Sequence, residues 1–446
     1  MKFLSALLFF IVIIGGIQAQ TAWDLQKCIR YAIDNNLEIK QSVVNEKIAL
    51  ENLNQSRRNR LPEVGLSSGA GVSYGRSIDP NTNDIISTNF FDNSYYINSS
   101  VVLFDGFRLK KQTDYNRFLL SVEKSRGDHA VDMLAFNVMS AFYDLLYYKG
   151  LERIAQAQVS ASELSLKAMK RKAEEGLKSL SDVAEVQSNF EMEELHLIQA
   201  ENKVNEALLN LRKLMNLEKV PSPGDFPDSI IAPESFAEVL TEADAGRIFS
   251  SFITWSPVYL TAESMLKAAG RSLAISKSNF FPGISGNWSA GTGFYETNTD
   301  NQGNVLGFGQ QIKENRSQYV GISLQFPLFT RLANRSAVSV TRLNVEEAHN
   351  QLESTRQNLF FEVSKAVNDL KAQQKEYAQY QRQQDADSLA LAVAEKKLSQ
   401  GLISVIEFYV VKNRYAGSQA NVLRSRLQLD MQHKMIGFYK GNRFWE

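Results

Sequence analysis

Two rhythms of apolar and polar positions alternate along this chain. In residues 63–75, EVGLSSGAGVSYG, the even positions Val64, Leu66, Ala70, Val72 and Tyr74 are mostly apolar, while the odd positions are glycine, serine or glutamate. In GISGNWSAGTGFY, Ile284, Trp288, Ala290 and Phe294 share a face. In QYVGISLQFPLF, Val320, Ile322, Leu324, Phe326 and Leu328 do the same. A fourth stretch, NSYYINSSVVLF from Asn93, alternates less cleanly. A period of two over about ten residues predicts strands with one apolar and one polar face, as in a soluble half-buried sheet or a membrane barrel.

The rest of the chain follows the helical period. Val131, Leu134, Val138, Phe142 and Leu145 recur at spacings of three and four, the pattern of a coiled coil. From about Arg108 to Glu175, and again from Leu332 to Gln400, there is no proline and very little glycine. At 1.5 Å per residue each stretch could reach roughly 100 Å if continuous. Each is broken at a glycine, in GLKSLSDVAEVQSN from Gly176 and GLISVIEFYVVKNR from Gly401. Gly176 and Gly401 can take the positive φ that ends a helix, and Ser179 and Ser404 are placed to cap the next one.

These two breaks belong to a duplication. The segment from Asn35 aligns without a gap on the segment from Trp255, placing Leu37 on Pro257 and Pro62 on Pro282 at an offset of 220 residues. From VVLFDG on FPLFTR onward the offset is 225, so the five extra residues lie in the intervening loop. Each half predicts a helix of about 35 residues ending at a proline, two strands around a polar loop, a helix of about 70 residues, the glycine break and a last helix of about 35. Residues 217–243, which hold four of the nine prolines, join the halves.

Composition narrows the partners. Lys plus Arg and Asp plus Glu both number 49, so no basic balance points to nucleic acid. The opening MKFLSALLFFIVIIGGIQAQT has Lys2, an apolar run of about 12 residues and Ala19 before Gln20, the layout of a signal peptide over residues 1–19. That run is short of the roughly 20 residues that span a bilayer, and no longer one follows, so an exported chain of this kind would enter a membrane through strands. The single cysteine, Cys28, excludes an internal disulfide and lacks the small residues expected before a lipid-modified cysteine. A closed barrel needs about eight strands, so four per chain imply that several chains build it.

The order of these parts, together with the G-L-x-S-h-x-[DE] turn in each half (h apolar), resembles the TolC-like outer-membrane efflux protein family over essentially the whole mature chain. The resemblance implies a mainly helical, tandem-duplicated TolC-like fold with membrane β: strands at about 63–75, 93–106, 283–297 and 318–329. These would form a trimeric twelve-stranded outer-membrane β-barrel in outer-membrane lipid, continued by a long α-helical tunnel in the periplasm. Residues 20–446 would be one unit of two repeats, about 20–216 and 244–440, with equatorial segments at 217–243 and 435–446. Residues 76–92 and 296–317 would be solvated extracellular loops without a ligand. The implied function is an exit duct of a tripartite efflux or type I secretion system. As a homotrimer it would dock a periplasmic adaptor (membrane fusion) protein and an inner-membrane efflux transporter, without a cofactor.

The resemblance also implies a periplasmic gate. Acidic residues at this place in the second repeat line the narrowest ring of the family's pore, which carries over to Glu407, with Asp182 its counterpart in the first repeat. Three converging carboxylates repel one another, raise the set's apparent pKa and favour cations; for a lone glutamate near a helix start, the plainer role is a dipole partner. Val410 stands where family members carry a second acid, and Leu398 and Ile403 stand where they carry a locking tyrosine and arginine. Tyr409 and Asp182 are the residues left to supply a lock.

Two other function classes compete. For an enzyme, His129, His196, His349 and His433 are scattered without paired spacing, and neither a nucleophile elbow nor a phosphate-binding glycine loop is visible. A periplasmic adaptor or coiled-coil scaffold without a pore would share the long helices but would not need membrane-type strands duplicated together with them.

Overall fold

The computed structural model describes residues 23–78, 83–87, 89–218, 222–227 and 241–445. The expected signal peptide and most of the 217–243 joining segment lie outside them. The chain divides into two compact units, one formed by residues 44–125 and 260–354 and the other by the remaining segments. The 67-residue helices α3 (Arg108–Glu174) and α8 (Ala333–Ser399) contribute to both. Among the described residues no helix is long and apolar enough to cross a membrane.

Both repeats begin with two helices where the pattern predicts one of about 35 residues. In the first, α1 (Leu25–Asn35) and α2 (Leu37–Arg58) are separated at Asn36, whose extended backbone (ψ 134°) stops the helix and whose side chain accepts the Glu38 amide at 2.8 Å. In the second, α5 (Glu242–Phe252) and α6 (Pro257–Ser278) are separated by a turn that ends at Pro257. Proline suits a first helical position because its missing N–H would have no partner there.

The first unit holds a four-stranded antiparallel sheet in the order β1 (Glu63–Ser73), β4 (Phe90–Phe104), β5 (Gly283–Tyr295), β6 (Ser317–Gln325). A short hairpin, β2 (Arg76–Ile78) with β3 (Ile85–Ser87), extends the β1–β4 connection. The register resolves the uneven alternation of β4. Val64, Leu66 and Val72 share a face with Tyr95, Ile97 and Val101, with Trp288 and Phe294, and with Val320, Ile322 and Leu324. The opposite face carries Ser67, Asn98, Asn287, Ser289 and Ser323, and the two charged residues of the four-stranded sheet, Glu63 and Asp92. Hydroxyls and amides join across it, with Ser285 and Ser323 at 2.7 Å and Asn287 donating to Ser323 at 3.1 Å. Both faces are largely exposed in the single chain, and β1 and β6 each keep one unpaired edge.

Each return from strand to long helix turns through two consecutive left-handed residues, Gly106 (φ 66°) and Phe107 (φ 63°) in one repeat, Arg331 (φ 52°) and Leu332 (φ 62°) in the other. A Cβ at Gly106 would meet Cβ of Phe281 at 2.8 Å, so glycine is also needed there for space. The polar 296–317 connection holds a short helix, α7 (Phe308–Glu314), rather than an irregular loop.

The second unit is helical. It contains α4 (Leu180–Met215) and α9 (Val405–Tyr439), the adjoining parts of α3 and α8, α1 and α5. α1 packs on α4 and α5 on α9, around a core that includes Leu134, Val138, Phe142 and Leu145 of the predicted stripe. Cys28 is fully buried in this core, and burial pushes its thiol up to about 12. Phe252, Trp255, Phe438 and Trp445 interlock as aromatic pairs, which fastens the chain's last residues to α5 and α9. The buried ammonium of Lys149 donates to the carbonyls of Pro223 (2.9 Å) and Phe226 (2.8 Å), holding the described part of the joining segment against α3.

Candidate gate at the helix-hairpin turns

The two glycine breaks share one geometry. At the first, Leu177 N–H donates to the Lys172 carbonyl at 2.9 Å and Gly176 N–H to that of Ala173 at 3.0 Å, with Gly176 at φ 76°. At the second, Leu402 donates to Lys397 at 2.9 Å and Gly401 to Leu398 at 3.0 Å, with Gly401 at φ 72°. This pair of bonds satisfies the last carbonyls of a helix and requires a left-handed residue, for which glycine carries no Cβ penalty.

The next helix then starts with a reciprocal cap. Ser179 accepts the Asp182 amide at 3.1 Å, and Asp182 accepts the Ser179 amide at 3.1 Å. Ser404 accepts the Glu407 amide at 3.2 Å, and Glu407 Oε2 accepts the Ser404 amide at 2.8 Å and its hydroxyl at 3.1 Å. Each carboxylate sits in the first turn of its helix, where the exposed N–H groups favour negative charge. The Ser404 amide holds the Glu407 carboxyl below the ordinary glutamate range, and Ser179 does the same for Asp182, with help from Lys178. Within one chain this is opposite in direction to the mutual repulsion of a carboxylate ring.

Glu407 and Tyr409 do not form one site. Two residues apart on a helix they point about 200° away from each other; Glu407 is exposed, whereas Tyr409 is buried with Phe408 against Ala394, Leu391 and Leu398. Burial, with the charges of Glu193 and Glu185 nearby, raises the Tyr409 phenol. Asp182 gives its carboxylate to Ser179. Around both turns apolar side chains stand in solvent, among them Leu177, Leu180, Leu402, Ile406 and Val410.

A residue that the sequence reading passed over, Lys412, lies one turn beyond Glu407 and is only 5% exposed. Its ammonium donates to Ser162 Oγ at 2.7 Å and to the Gln158 carbonyl at 3.2 Å on α3, and lies 3.6 Å from Glu193 Oε1 on α4. It also sits 5.3 Å from the centre of the Tyr409 ring. Desolvation lowers its pKa, partly offset by Glu193. His196 Nδ1 approaches the other Glu193 oxygen at 3.7 Å. On the far side of α9, Arg414 pairs with the largely buried Asp387 of α8 at 2.8 Å. The signal was a lysine on the apolar stripe, three and four residues after Tyr409 and Phe408, where a buried charge demands a partner.

The chain as a whole is similar to known proteins. The sequence pattern described as outer membrane efflux protein matches residues 28–217 and 256–435, one stretch per repeat. The probable outer membrane lipoprotein SilC of Salmonella typhimurium is 22% identical over 90% of this chain and 81% of its own. The outer membrane protein TolC of Vibrio cholerae is 19% identical over 92% and 89%. Among solved structures, the Campylobacter jejuni CmeC outer membrane channel superposes with a TM-score of 0.80 at 14% identity, covering 95% of this chain and 87% of that one.

Proposed function

The chain belongs to the outer membrane efflux protein family, and from that membership we propose that it is the exit duct of a tripartite efflux or type I secretion system. Three copies close a twelve-stranded barrel in outer-membrane lipid, with the long helices continuing as a tunnel in the periplasm. Residues 1–19 are removed on export, residues 217–243 and 435–446 contribute an equatorial belt, and the 76–92 and 296–317 connections face outside. The observation that carries this reading is the sheet. Four strands with one apolar face, one polar face and two open edges are left largely uncovered by the described residues of their own chain, whereas closure with two further copies pairs the edges, turns the apolar face to lipid and leaves the polar face to water.

The duct docks a periplasmic adaptor and an inner-membrane transporter, and its own contribution to transport is passage and closure. The turns at Gly176 and Gly401 form the periplasmic tips, and Glu407 is the gate residue, presented by the Ser404 cap and kept ionised by it. Lys412, which joins α9 to α3 and α4 behind Glu407, supports the closed arrangement in place of Tyr409 and Asp182. Purified trimer added to a planar bilayer tests the reading. Discrete, cation-preferring conductance steps are expected, and persistent silence from a well-folded trimer would refute it.

A further inference from the structure

The duct reading takes the apolar face of the sheet as lipid-facing, and α7 lies where that face ends. Val320, Ile322 and Leu324 of β6, beside Trp288 and Ala290, are followed away from the helices by Gln318, Thr292 and Asn93. These three polar residues lie on successive cross-strand rungs, opposite Ala290, Tyr95 and Phe294, so hydrocarbon contact thins over these rungs. Aromatic side chains come next, with Phe91 and Phe294 in contact (6.2 Å) and Phe308 of α7 on Phe294 (5.7 Å). Arg316, one residue before β6, continues the even parity of Gln318 and Val320, and Lys313 occupies the last turn of α7. Arg316 thus falls level with Thr292, close to the aromatic rings, and basic and aromatic side chains gathered at the outer edge of an apolar face are the composition of a bilayer interface.

α7 is fixed at this height by a side chain that behaves as backbone. β6 begins opposite Gly291, so the β5 groups beyond it have no strand partner on that edge. Gln311, fully buried, supplies one: its Oε1 accepts the Tyr295 amide at 3.0 Å and its Nε2 donates to the Tyr295 carbonyl at 3.1 Å. Asn315 donates to the Gly293 carbonyl at 2.7 Å, and Thr292 to that of Ile312 at 2.8 Å. The one acid in the helix, Glu314, is engaged by Gln310 at 3.0 Å, whereas Lys313 and Arg316 have no ion-pair partner among the described residues.

We propose that α7, with Lys313 and Arg316, is a docking surface for the phosphorylated glucosamine headgroup of an outer-leaflet lipopolysaccharide, whose acyl chains continue down Phe308 and the apolar face. This rests on the duct reading for the sidedness of the sheet. The two cations contact phosphate, and the Gln311 latch holds α7 at the outer edge of the apolar face.

The test uses delipidated full-length trimer and native mass spectrometry, with bisphosphorylated lipid A as probe and its dephosphorylated form and phosphatidylglycerol as controls. Lys313→Gln with Arg316→Gln is expected to weaken lipid A retention about 30-fold, from the attraction of two basic residues to an anionic surface. The unliganded melting temperature should stay unchanged, because Gln311 and Asn315 are untouched. Phe308→Ser is expected to weaken lipid A and its dephosphorylated form alike. Equal retention by the double variant, equal retention of dephosphorylated lipid A by the wild type, or equal retention of phosphatidylglycerol would each overturn the proposal. Conductance in phospholipid bilayers reads the duct separately: a silent trimer that still retains lipid A phosphate-dependently would refute the duct and support this surface.

Discussion

Replacing Lys412 by alanine removes the ammonium from Ser162, Gln158 and Glu193 in one step, and leaves the Glu193 carboxylate nine-tenths buried beside only the exposed imidazole of His196. Breaking a buried ion pair from one side costs about 3–5 kcal/mol, because the stranded charge has lost its solvent as well as its partner. Taking the lower end, about 3 kcal/mol of local stability corresponds to a roughly 150-fold change in an opening equilibrium. The readout should be local, since a trimeric membrane protein does not unfold as a two-state system. Native-state hydrogen exchange of the amides in the first turns of α9 and of α4 near Glu193 is expected to accelerate about 100-fold in Lys412→Ala. In Lys412→Met with Glu193→Leu, where no charge is stranded, most of that acceleration should disappear. Exchange in Lys412→Ala that matches wild type, or a double variant as fast as the sum of the single ones, would refute the claim that this pair couples the helices.

Glu407→Ala is expected to raise single-channel conductance or lower cation preference in a planar bilayer, and no change in either would remove Glu407 from the gate. The pH dependence follows from the same cap: a carboxyl held below its ordinary value contributes stability that is present above the unfolded pKa of 4.5 and lost as pH falls through the folded one. Cation preference and slow exchange at residues 405–408 should therefore persist to pH 4.5 and fade below it; loss of both at higher pH would show that repulsion within the ring outweighs the Ser404 bonds. At the strand-to-helix turns, Gly106→Ala should destabilise the barrel unit, through both φ 66° and the 2.8 Å approach to Phe281. Arg331→Gly, which relieves a left-handed non-glycine residue, should stabilise it by about 0.5–1 kcal/mol, both read as shifts in the trimer's resistance to heat in detergent.

The fold class was legible because its two periods are enforced along long stretches. A strand between lipid and water must alternate, and a helix packed along its length must repeat at three and four, so even a chain 19–22% identical to its relatives keeps both signals. The interruptions were less visible. Asn36 breaks a helix with one polar residue in an otherwise helical run, and its role lies in a single backbone angle. α7 was hidden because seven residues give no periodicity, and Gln311 acts through amide bonds to the backbone that no pattern of apolar positions encodes. At the gate, the glycines and capping serines could be read from turn chemistry, whereas the partners of Lys412 come from α3 and α4, some 219 to 254 residues away in sequence.

The unpaired edges of β1 and β6 have a genetic consequence. In the trimer proposed above, each β6 completes its hydrogen bonds only on a neighbour's β1, so a subunit whose β6 edge has been ruined, for instance by proline, spoils the ring it enters. A cell expressing such a variant alongside an equal amount of wild type would assemble intact rings in only about one case in eight if copies mix at random. The lesion would be dominant, and a second healthy gene would not rescue it.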